Sequence, residues 1–279
     1  MKSKKKYGLI GHPISHSLSP ALFRAGFGDL YNYDLIETVD FKEAYSRFMN
    51  EYDAVNVTAP FKEKACRKAD ILSEECKVIG ACNVLKKTED GVLAANTDYL
   101  GVMQSLLPYQ KEGKFKPITM VVGCGGAGKA AAYAALKLGN IVMIVNRDVE
   151  KARNFAEWLW NKTDKKIPVI ASPLSYFCRG FKAAGTIIYT LPVAIPQIEE
   201  LKKRHIQGGI FRKEPKIILE ANYNNPTFTP SLQSAMTEVN EQIQFISGHE
   251  WLLHQAVSAY EIFTEHTPNI DEMVRLYKK

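Results

Sequence analysis

The stretch Ile118-Thr-Met-Val-Val-Gly-Cys-Gly-Gly-Ala-Gly128 decides the fold of this 279-residue chain. It opens with an apolar run, which is typical of a parallel strand buried on both faces. The glycines that follow fit G-x-G-x-x-G, and an alanine-rich helix continues to about Leu138. Such glycines turn tightly and let backbone N–H groups approach a pyrophosphate at a helix N-terminus. This context favours a dinucleotide-binding turn over a turn that binds nothing or holds S-adenosylmethionine.

The next strand carries the residues that select between two dinucleotides. It covers Ile141–Val145 and ends at Asn146 and Arg147, roughly 20 residues beyond the first glycine. An NAD site places an acidic residue near this point, whereas an arginine accommodates the 2′-phosphate of NADP. Lys151 adds charge one helical turn farther on, while Asp148 competes as a ribose acceptor. The pattern therefore favours NADP.

The rest of this region continues the alternation of strands and helices. Further apolar runs at 167–170, 186–189 and 216–219 are separated by helical or loop segments, and Gln110–Lys116 reads as a linker before the first strand. This rhythm is typical of a doubly wound parallel sheet. We therefore predict an α/β protein with a Rossmann domain over about 101–247.

The N-terminal region predicts a second α/β domain over 1–100. Ser19 and Pro20 predict an N-cap and a first helical residue for a helix to about Gly28, and Asp40 predicts the start of another. Asp90-Gly91 predicts a hairpin between strands at 83–87 and 92–95. Further strands are predicted at 7–11, 31–39 and 54–58, and the last helices at 249–265 and 269–277.

Composition and charge exclude several classes of protein. The formal net charge of +6 matches six lysines near the two ends of the sequence, which are Lys2, Lys4, Lys5, Lys6, Lys278 and Lys279. The body is close to neutral, so a nucleic-acid partner is not expected. No apolar run approaches a membrane span and no signal-peptide core follows the basic start. The five cysteines form no C-x-x-C pair, so we expect no disulfide framework, no metal site and a cytoplasmic location.

Polar side chains cluster in several loops of the N-terminal region. They carry the hydroxyls of Ser17 and Ser19, the Asn56–Lys62 segment, Asn83, and Asn96-Thr97-Asp98. Taken singly, Lys62 is typical of a surface lysine and the asparagines of turn residues. Together they form a set suited to binding a small acid that carries several hydroxyls.

These residues fall in motifs that resemble one family. The motifs, in order, are G-x-P-I-x-H-S-x-S-P (11–20), N-V-T-x-P-x-K (56–62), I-G-A-x-N (79–83), N-T-D-x-x-G (96–101), G-x-G-G-A (123–127), N-R-x-x-x-K-A (146–152) and L-L-x-Q-A (252–256). Together they resemble shikimate dehydrogenase over nearly the whole chain. The resemblance implies reversible NADPH-dependent reduction of 3-dehydroshikimate to shikimate, on the route to chorismate and the aromatic amino acids.

The resemblance also implies a role for each matching residue. It assigns the substrate carboxylate to Ser17, Ser19 and Tyr223, and the ring hydroxyls to Thr58, Lys62, Asn83, Asp98 and Gln255. It assigns the pyrophosphate to Gly123, Cys124, Gly125, Gly126 and Ala127, the ribose phosphate to Asn146, Arg147 and Lys151, and the nicotinamide to Gly248. Because Gln255 must meet Lys62 and Asp98, we expect 248–279 to pack back on the first domain.

Hydride leaves a carbinol carbon only as its hydroxyl proton departs, so a base must lie within hydrogen-bond reach. Our hypothesis is that Lys62 accepts this proton and that Asp98 orients both Lys62 and the hydroxyl. The neighbouring carboxylate favours the charged ammonium and burial disfavours it. The sequence leaves the balance open, as it does the choice between monomer and homodimer.

The chain also departs from the family pattern. Phe23-Arg24 stands where His-Asn is usual, Tyr189-Thr-Leu-Pro192 replaces the usual Rossmann loop, Glu220 replaces Asp, and Trp251 replaces Met. Because the loop change touches the cofactor side, an NAD-dependent quinate/shikimate dehydrogenase remains an alternative. A non-catalytic NADP-sensing protein of the same fold is another. A folate-linked dehydrogenase would not need the paired serines.

Overall fold

The computed structural model describes residues 4–110, 115–208 and 213–277. It divides into two compact units, which we call unit 1 (Met1–Gly101 with Leu253–Lys279) and unit 2 (Val102–Leu252). Residues 111–114 of the predicted linker lie outside the described residues.

Both units alternate strands and helices. The strands are β1 (Lys6–Gly11), β2 (Asn32–Glu37), β3 (Ala54–Val57), β4 (Ile71–Leu72), β5 (Val84–Thr88), β6 (Gly91–Ala95), β7 (Ile118–Val122), β8 (Ile141–Asn146), β9 (Val169–Pro173), β10 (Thr186–Tyr189), β11 (Lys216–Glu220) and β12 (Ile243–Ile246). The helices are α1 (Ser19–Phe27), α2 (Phe41–Glu51), α3 (Lys62–Lys68), α4 (Glu74–Ile79), α5 (Asp98–Gln110), α6 (Gly126–Lys137), α7 (Val149–Lys162), α8 (Phe177–Ala183), α9 (Lys203–Gln207), α10 (Pro230–Val239), α11 (Gly248–Thr264) and α12 (Ile270–Arg275).

The sheet of unit 1 is mixed, with strand order β2-β1-β3-β5-β6-β4. The strands β1, β2 and β3 pair in parallel, whereas β5 pairs antiparallel with both β3 and β6. The predicted hairpin turn at Asp90-Gly91 joins β5 to β6. The core of this unit includes Ile10, Phe48 and Val57, all nearly inaccessible to solvent.

The sheet of unit 2 is fully parallel, with strand order β12-β11-β10-β7-β8-β9. This is the doubly wound order in which the chain starts at the centre, moves to one edge and then builds the other. The predicted α/β class and Rossmann domain are therefore confirmed. Two strands, β7 and β10, have their predicted bounds, while the run at 167–170 forms a strand two residues later, at β9. The strand β12 was not predicted.

One lysine of unit 2 is buried against expectation. Lys216, the first residue of β11, is fully inaccessible to solvent. Its Nζ donates to Phe181 O at 2.8 Å and Ala184 O at 2.7 Å, with a longer bond to Lys182 O at 3.3 Å. The side chain thus satisfies main-chain carbonyls at the C-terminal end of α8, which have no partner within the helix. Burial lowers the pKa of Lys216 to about 8.

Three further observations concern the expectations from composition. Within residues 4–110, 115–208 and 213–277, no helix is both long enough and apolar enough to cross a membrane. The same residues contain no cluster of three or more His, Cys, Asp or Glu side chains that could hold a metal ion. All five cysteines are free thiols, and four of them are buried.

Candidate active site

The ends of three strands meet at one edge of the unit 1 sheet. Asn56 lies opposite Val84 in the β3–β5 ladder, and Val84 lies opposite Ala95 in the β5–β6 ladder. Because β5 runs against both neighbours, its first residue lies beside the last residues of β3 and β6. The polar segments that follow β3, precede β5 and follow β6 are therefore held side by side.

Lys62 and Asp98 form a buried ion pair at this edge. Lys62 is the first residue of α3 and Asp98 the first of α5. Their Nζ and Oδ2 atoms are 2.6 Å apart, and the side chains are only 14% and 8% exposed. A carboxylate at a helix N-terminus is favoured by the helix dipole. The pair thus places one ammonium with three donor hydrogens beside a fixed acceptor.

Asn83 connects this pair to the late helix α11. Its Nδ2 lies 3.2 Å from Asp98 Oδ1, 2.8 Å from Gln255 Oε1 and 2.9 Å from Thr97 Oγ1, and its Oδ1 accepts from the Thr97 backbone N–H at 2.7 Å. The Thr97 hydroxyl in turn donates to Gln255 O at 2.8 Å. Four predicted substrate residues, Lys62, Asn83, Asp98 and Gln255, are therefore joined by direct hydrogen bonds.

Ser17 and Ser19 stand together at the start of α1. The Ser17 hydroxyl lies 3.1 Å from the Ser19 hydroxyl and accepts from the Ser19 backbone N–H at 3.2 Å. The prediction that Ser19 caps the helix is wrong. Leu18 occupies the N-cap position and has no polar side chain to cap the helix, while Ser19 is the first helical residue and its hydroxyl bonds with that of Ser17. Two adjacent hydroxyls at a helix N-terminus suit a carboxylate ligand.

Thr58 follows β3 directly and is half-buried. Its methyl group packs on Gly11, where an added Cβ would approach Thr58 Cγ2 to 2.3 Å. Its backbone N–H donates to Ile10 O at 2.9 Å, which fixes the residue against β1. The Thr58 hydroxyl has no hydrogen bond to any described residue, so it is available to a ligand.

Tyr33 and Asn56 belong to the same network, although neither was assigned a role from the sequence. The Tyr33 hydroxyl donates to Asn56 Oδ1 at 2.8 Å, and Asn56 Nδ2 donates to Asn83 O at 3.2 Å. Burial raises the pKa of Tyr33, so the phenol stays protonated. Asn56 belongs to the N-V-T motif, and this motif could have indicated its role from the sequence. Tyr33 offered no signal, because its partners come from distant strands.

The ring of Phe23, one of the departures from the family pattern, packs against this network. Its ring stacks on Tyr33 with centroids 4.8 Å apart and meets Tyr260 edge-on at 4.8 Å. Tyr260 also donates from its hydroxyl to Ser19 O at 3.1 Å. Aromatic packing against Phe23 thus fixes Tyr260, which bonds to Ser19. The family pattern has a polar His-Asn pair at the positions of Phe23 and Arg24.

The glycine turn of unit 2 has the shape of a phosphate cradle. Gly123 has φ +109°, and a Cβ there would meet Thr190 Oγ1 at 2.5 Å. A Cβ at Gly128 would meet Gly123 O at 2.3 Å, so the turn and α6 pack closely. Gly125 is the N-cap of α6, has no side-chain cap and has open space around its missing Cβ. Backbone N–H groups at the start of α6 therefore face space that a pyrophosphate could fill.

Neighbours of the glycines complete the turn. Cys124 is buried, with Sγ 3.9 Å from Lys151 O, so it serves packing. Gly126 and Ala127 are the first residues of α6 and are half-buried. In the divergent loop after β10, the Thr190 hydroxyl donates to Val122 O at 2.8 Å. This loop thus supports the strand that leads into the turn.

The end of β8 leaves one cation free. Asn146 Nδ2 donates to Asp148 O at 2.8 Å, and Asp148 caps α7 by accepting from the Lys151 backbone N–H at 3.0 Å. Asp148, the competing ribose acceptor, is therefore engaged as a helix cap. Arg147 is exposed and forms no ion pair with any described residue, while Lys151 is exposed in the first turn of α7. The arrangement fits a phosphate better than a neutral ribose.

Tyr223 and Gly248 lie in unit 2. The Tyr223 ring is 5.2 Å from the ring of His249, which the sequence did not single out. Gly248 begins α11, and a Cβ there would meet Glu220 O and Ala221 O at 2.6 Å. Burial lowers the pKa of His249 below its ordinary value, so its imidazole is neutral at pH 7. Glu220 accepts from two turn amides, at Thr227 (2.6 Å) and Phe228 (3.0 Å).

Comparisons with known proteins point to one family. Residues 9–85 match the model of the shikimate dehydrogenase substrate binding domain. The chain is 32% identical to the shikimate dehydrogenase (NADP(+)) of Aquifex aeolicus over 255 residues, which cover 88% of this chain and 91% of that protein.

Solved structures resemble it as well. The shikimate dehydrogenase of Mycobacterium tuberculosis has a TM-score of 0.77 at 28% identity, with 97% of each chain covered. The quinate dehydrogenase of Corynebacterium glutamicum, solved with NAD, has a TM-score of 0.79 and 98% coverage of each chain. At 22% identity, this second likeness concerns the fold alone.

Proposed function

This chain belongs to the shikimate dehydrogenase family, and on that premise we propose that it is an NADP-dependent oxidoreductase that interconverts shikimate and 3-dehydroshikimate. In the biosynthetic direction it reduces the ketone, a step in the making of chorismate and the aromatic amino acids. The observation that carries the proposal is the buried Lys62–Asp98 pair, 2.6 Å long and tied through Asn83 to Gln255. A protein that only sensed NADP would not need such a proton-transfer pair.

Unit 1 binds the substrate in this proposal. Ser17 and Ser19 bind its carboxylate with the assistance of Tyr223, and the hydroxyls of the two serines support this role by their 3.1 Å separation. The ring hydroxyls are bound by Thr58, Lys62, Asn83, Asp98 and Gln255. Amides and hydroxyls that are already bonded to one another lose little freedom on binding, which favours affinity.

Lys62 moves the proton. During reduction the ammonium of Lys62 gives a proton to the ketone oxygen and becomes a neutral amine, and during oxidation this neutral Nζ accepts the proton of the reacting hydroxyl and becomes the ammonium again. Asp98 holds the ammonium from one carboxylate oxygen while Asn83 donates to the other. This fixes the direction in which Lys62 presents its remaining hydrogens. General acid–base catalysis of this kind contributes about 10²–10⁴-fold to a rate.

Unit 2 binds the cofactor. Gly123, Cys124, Gly125, Gly126 and Ala127 hold the pyrophosphate, and Asn146, Arg147 and Lys151 hold the ribose 2′-phosphate, while Gly248 lies at the nicotinamide. The open space at Gly125 supports these roles, as does Arg147, which forms no ion pair within the described part of the chain. NADP, when bound, supplies the hydride acceptor for oxidation and, as NADPH, the hydride donor for reduction.

We also propose that the protein works in the cytoplasm as a monomer or homodimer, without a membrane or nucleic-acid partner. The five free cysteines support a reducing compartment, since disulfides are typical of oxidising ones. The near-neutral body of the chain supports the absence of a polyanionic partner.

The test is an NADPH absorbance assay with four pairings: shikimate or quinate with NADP or NAD. We expect turnover with shikimate and NADP to exceed the other three pairings. Faster turnover with quinate and NAD would assign the chain to the quinate/shikimate alternative. No turnover in any pairing, together with tight NADP binding, would support the non-catalytic sensor and refute the proposal.

A further inference from the structure

A groove on the surface of unit 1 lies outside the proposed substrate set. It runs between α2 and the second half of α3 and has a volume of about 520 Å³. We call it the α2–α3 groove and define it by two rings, Phe41 and Tyr45, and four cations, Lys42, Lys64, Arg67 and Lys68. This volume is within the range of roughly 300–1,000 Å³ of small-molecule sites.

Aromatic rings form one wall of the groove. Phe41 and Tyr45 are one helical turn apart on α2, with ring centroids 5.8 Å apart, and both are half-buried. Phe41 is held from behind by the buried ring of Phe61 at 5.5 Å. The wall is therefore a fixed apolar surface that a flat ligand ring could pack against.

Positive charge is concentrated in this groove. Among the described residues none of the four cations forms an ion pair. Two carboxylates near them in sequence are engaged elsewhere, because Asp40 caps α2 and Asp70 accepts from the Val92 backbone N–H.

The placement of the cations on α3 is itself unfavourable without a ligand. Lys64, Arg67 and Lys68 are spaced three and four residues apart, so they share one face of the helix and repel one another. The helix dipole accounts for Arg67 and Lys68 in the last turn, but for neither Lys64 nor Lys42. Lys68 additionally lies over the Tyr45 ring, at 5.6 Å from its centroid.

We infer that the α2–α3 groove binds an organic phosphate that carries an aromatic ring. The ring packs on Phe41 and Tyr45, and the phosphate is bound by Lys64, Arg67 and Lys68. A phosphate is favoured over a single carboxylate because it carries more charge and more acceptor oxygens, which several cations can share. The site is separate from the proposed catalytic chemistry, so its test does not depend on enzyme activity.

The test titrates 1-naphthyl phosphate, a fluorescent aromatic phosphate, into the full chain. We expect saturable binding that the double variant Lys64→Ala/Arg67→Ala weakens at least tenfold. Both side chains are exposed, and circular dichroism checks that the variant is folded. The matched control is Arg147→Ala/Lys151→Ala, which removes two cations from unit 2. Equal binding by the groove variant and the unmodified chain, or loss of binding only in the control, would overturn the inference.

Two further binding measurements distinguish the contribution of the ligand's aromatic ring from that of its charge. Inorganic phosphate and 1-naphthol should each bind at least tenfold more weakly than 1-naphthyl phosphate. Tyr45→Leu should weaken 1-naphthyl phosphate about threefold or more while leaving inorganic phosphate unchanged. If inorganic phosphate binds as tightly as 1-naphthyl phosphate, the groove is a general anion site and the proposal fails.

Discussion

Two buried lysines, one in each unit, differ in the partners that hold them. Lys62 in unit 1 pairs with Asp98 and so with a network of side chains that reaches Gln255. Lys216 in unit 2 forms no ion pair with any described residue and donates instead to carbonyls at the end of α8.

The difference lies in what each set of partners can do. A carboxylate or amide side chain can turn toward a substrate and share its hydrogen bonds with it. Main-chain carbonyls at a helix end are fixed by the helix. We therefore expect Lys62 to matter for turnover and Lys216 for stability.

The largest effect is expected for Lys62→Met. Without the ammonium no group returns the proton, so the single-turnover rate of hydride transfer should fall about 10²–10⁴-fold. Rapid-mixing measurement of NADPH with saturating substrate gives this rate. Lys77→Met, at an exposed lysine of α4, is the control and should stay within about twofold. A near-normal rate with weakened shikimate binding would reduce Lys62 to a substrate clamp.

The next effect is expected for Asn83→Leu. The variant leaves Asp98 Oδ1, Gln255 Oε1 and the Thr97 N–H without their partner in a buried site. Unsatisfied buried groups of this kind should lower the free energy of unfolding by about 2–4 kcal/mol. Urea unfolding followed by circular dichroism measures the change. Asn50→Leu, on the exposed face of α2, should change it by less than about 0.5 kcal/mol; a similar small loss for Asn83→Leu would contradict the network.

A third effect concerns pH and Lys216. Its pKa is lowered to about 8 in the folded protein from 10.5, so between these values the unfolded chain binds more protons. The free energy of unfolding of the wild type then rises with pH. The gap, which is the free energy of unfolding of the wild type minus that of Lys216→Met, should therefore increase by about 2 kcal/mol from pH 8 to 10. Below pH 8 the gap should be flat.

Urea titrations across this pH range measure the gap. Lys137→Met, at an exposed lysine that ends α6, should give no comparable slope. Turnover of Lys216→Met at pH 7 should stay within about twofold of the wild type. A flat gap from pH 8 to 10, or a collapse of turnover, would break the contrast between the two lysines.

The smallest effect is expected for Arg147→Ala, which removes an exposed cation that forms no ion pair with the residues the structure describes. The KM for NADP should rise about tenfold while the KM for NAD changes little, since only NADP carries the 2′-phosphate. Steady-state assays with both cofactors measure this split. Arg153→Ala, an exposed arginine on α7 paired with Glu150, is the control. An equal rise in KM for both cofactors would mean that Arg147 does not bind the 2′-phosphate.

Local signals in the sequence were enough to predict the unit 2 fold. The glycine turn and the bounds of β7 and β10 followed from apolar runs and from backbone demands that only glycine meets. The strand β12 was missed because Ile-Gln-Phe-Ile is only four residues long and Gln244 interrupts its apolar run. Its position at the edge of the sheet depends on pairing with β11, and a local sequence pattern does not predict such a pairing.

The candidate site was predictable only as a set of residue types. The motif match assembled Lys62, Asn83, Asp98 and Gln255, which the structure joins by hydrogen bonds. The sequence predicts Ser19 as a cap from the general preference of serine for that position. This preference takes no account of the nearby Ser17 hydroxyl, to which Ser19 bonds instead. Lys216 could not be foreseen, since lysine is seldom buried and its carbonyl partners come from a helix about thirty residues earlier.

The discontinuity of unit 1 has a consequence for how the protein is made. Asn83 and Gln255 are 172 positions apart, and all of Val102–Leu252 is synthesised between them. At ordinary translation speeds this takes about 10–30 s, during which Asn83 and Thr97 have left the ribosome without the helix that completes their hydrogen bonds. Water occupies those bonds in the nascent chain. The first binding-competent site is thus formed only when α11 emerges, after unit 2 has had time to fold.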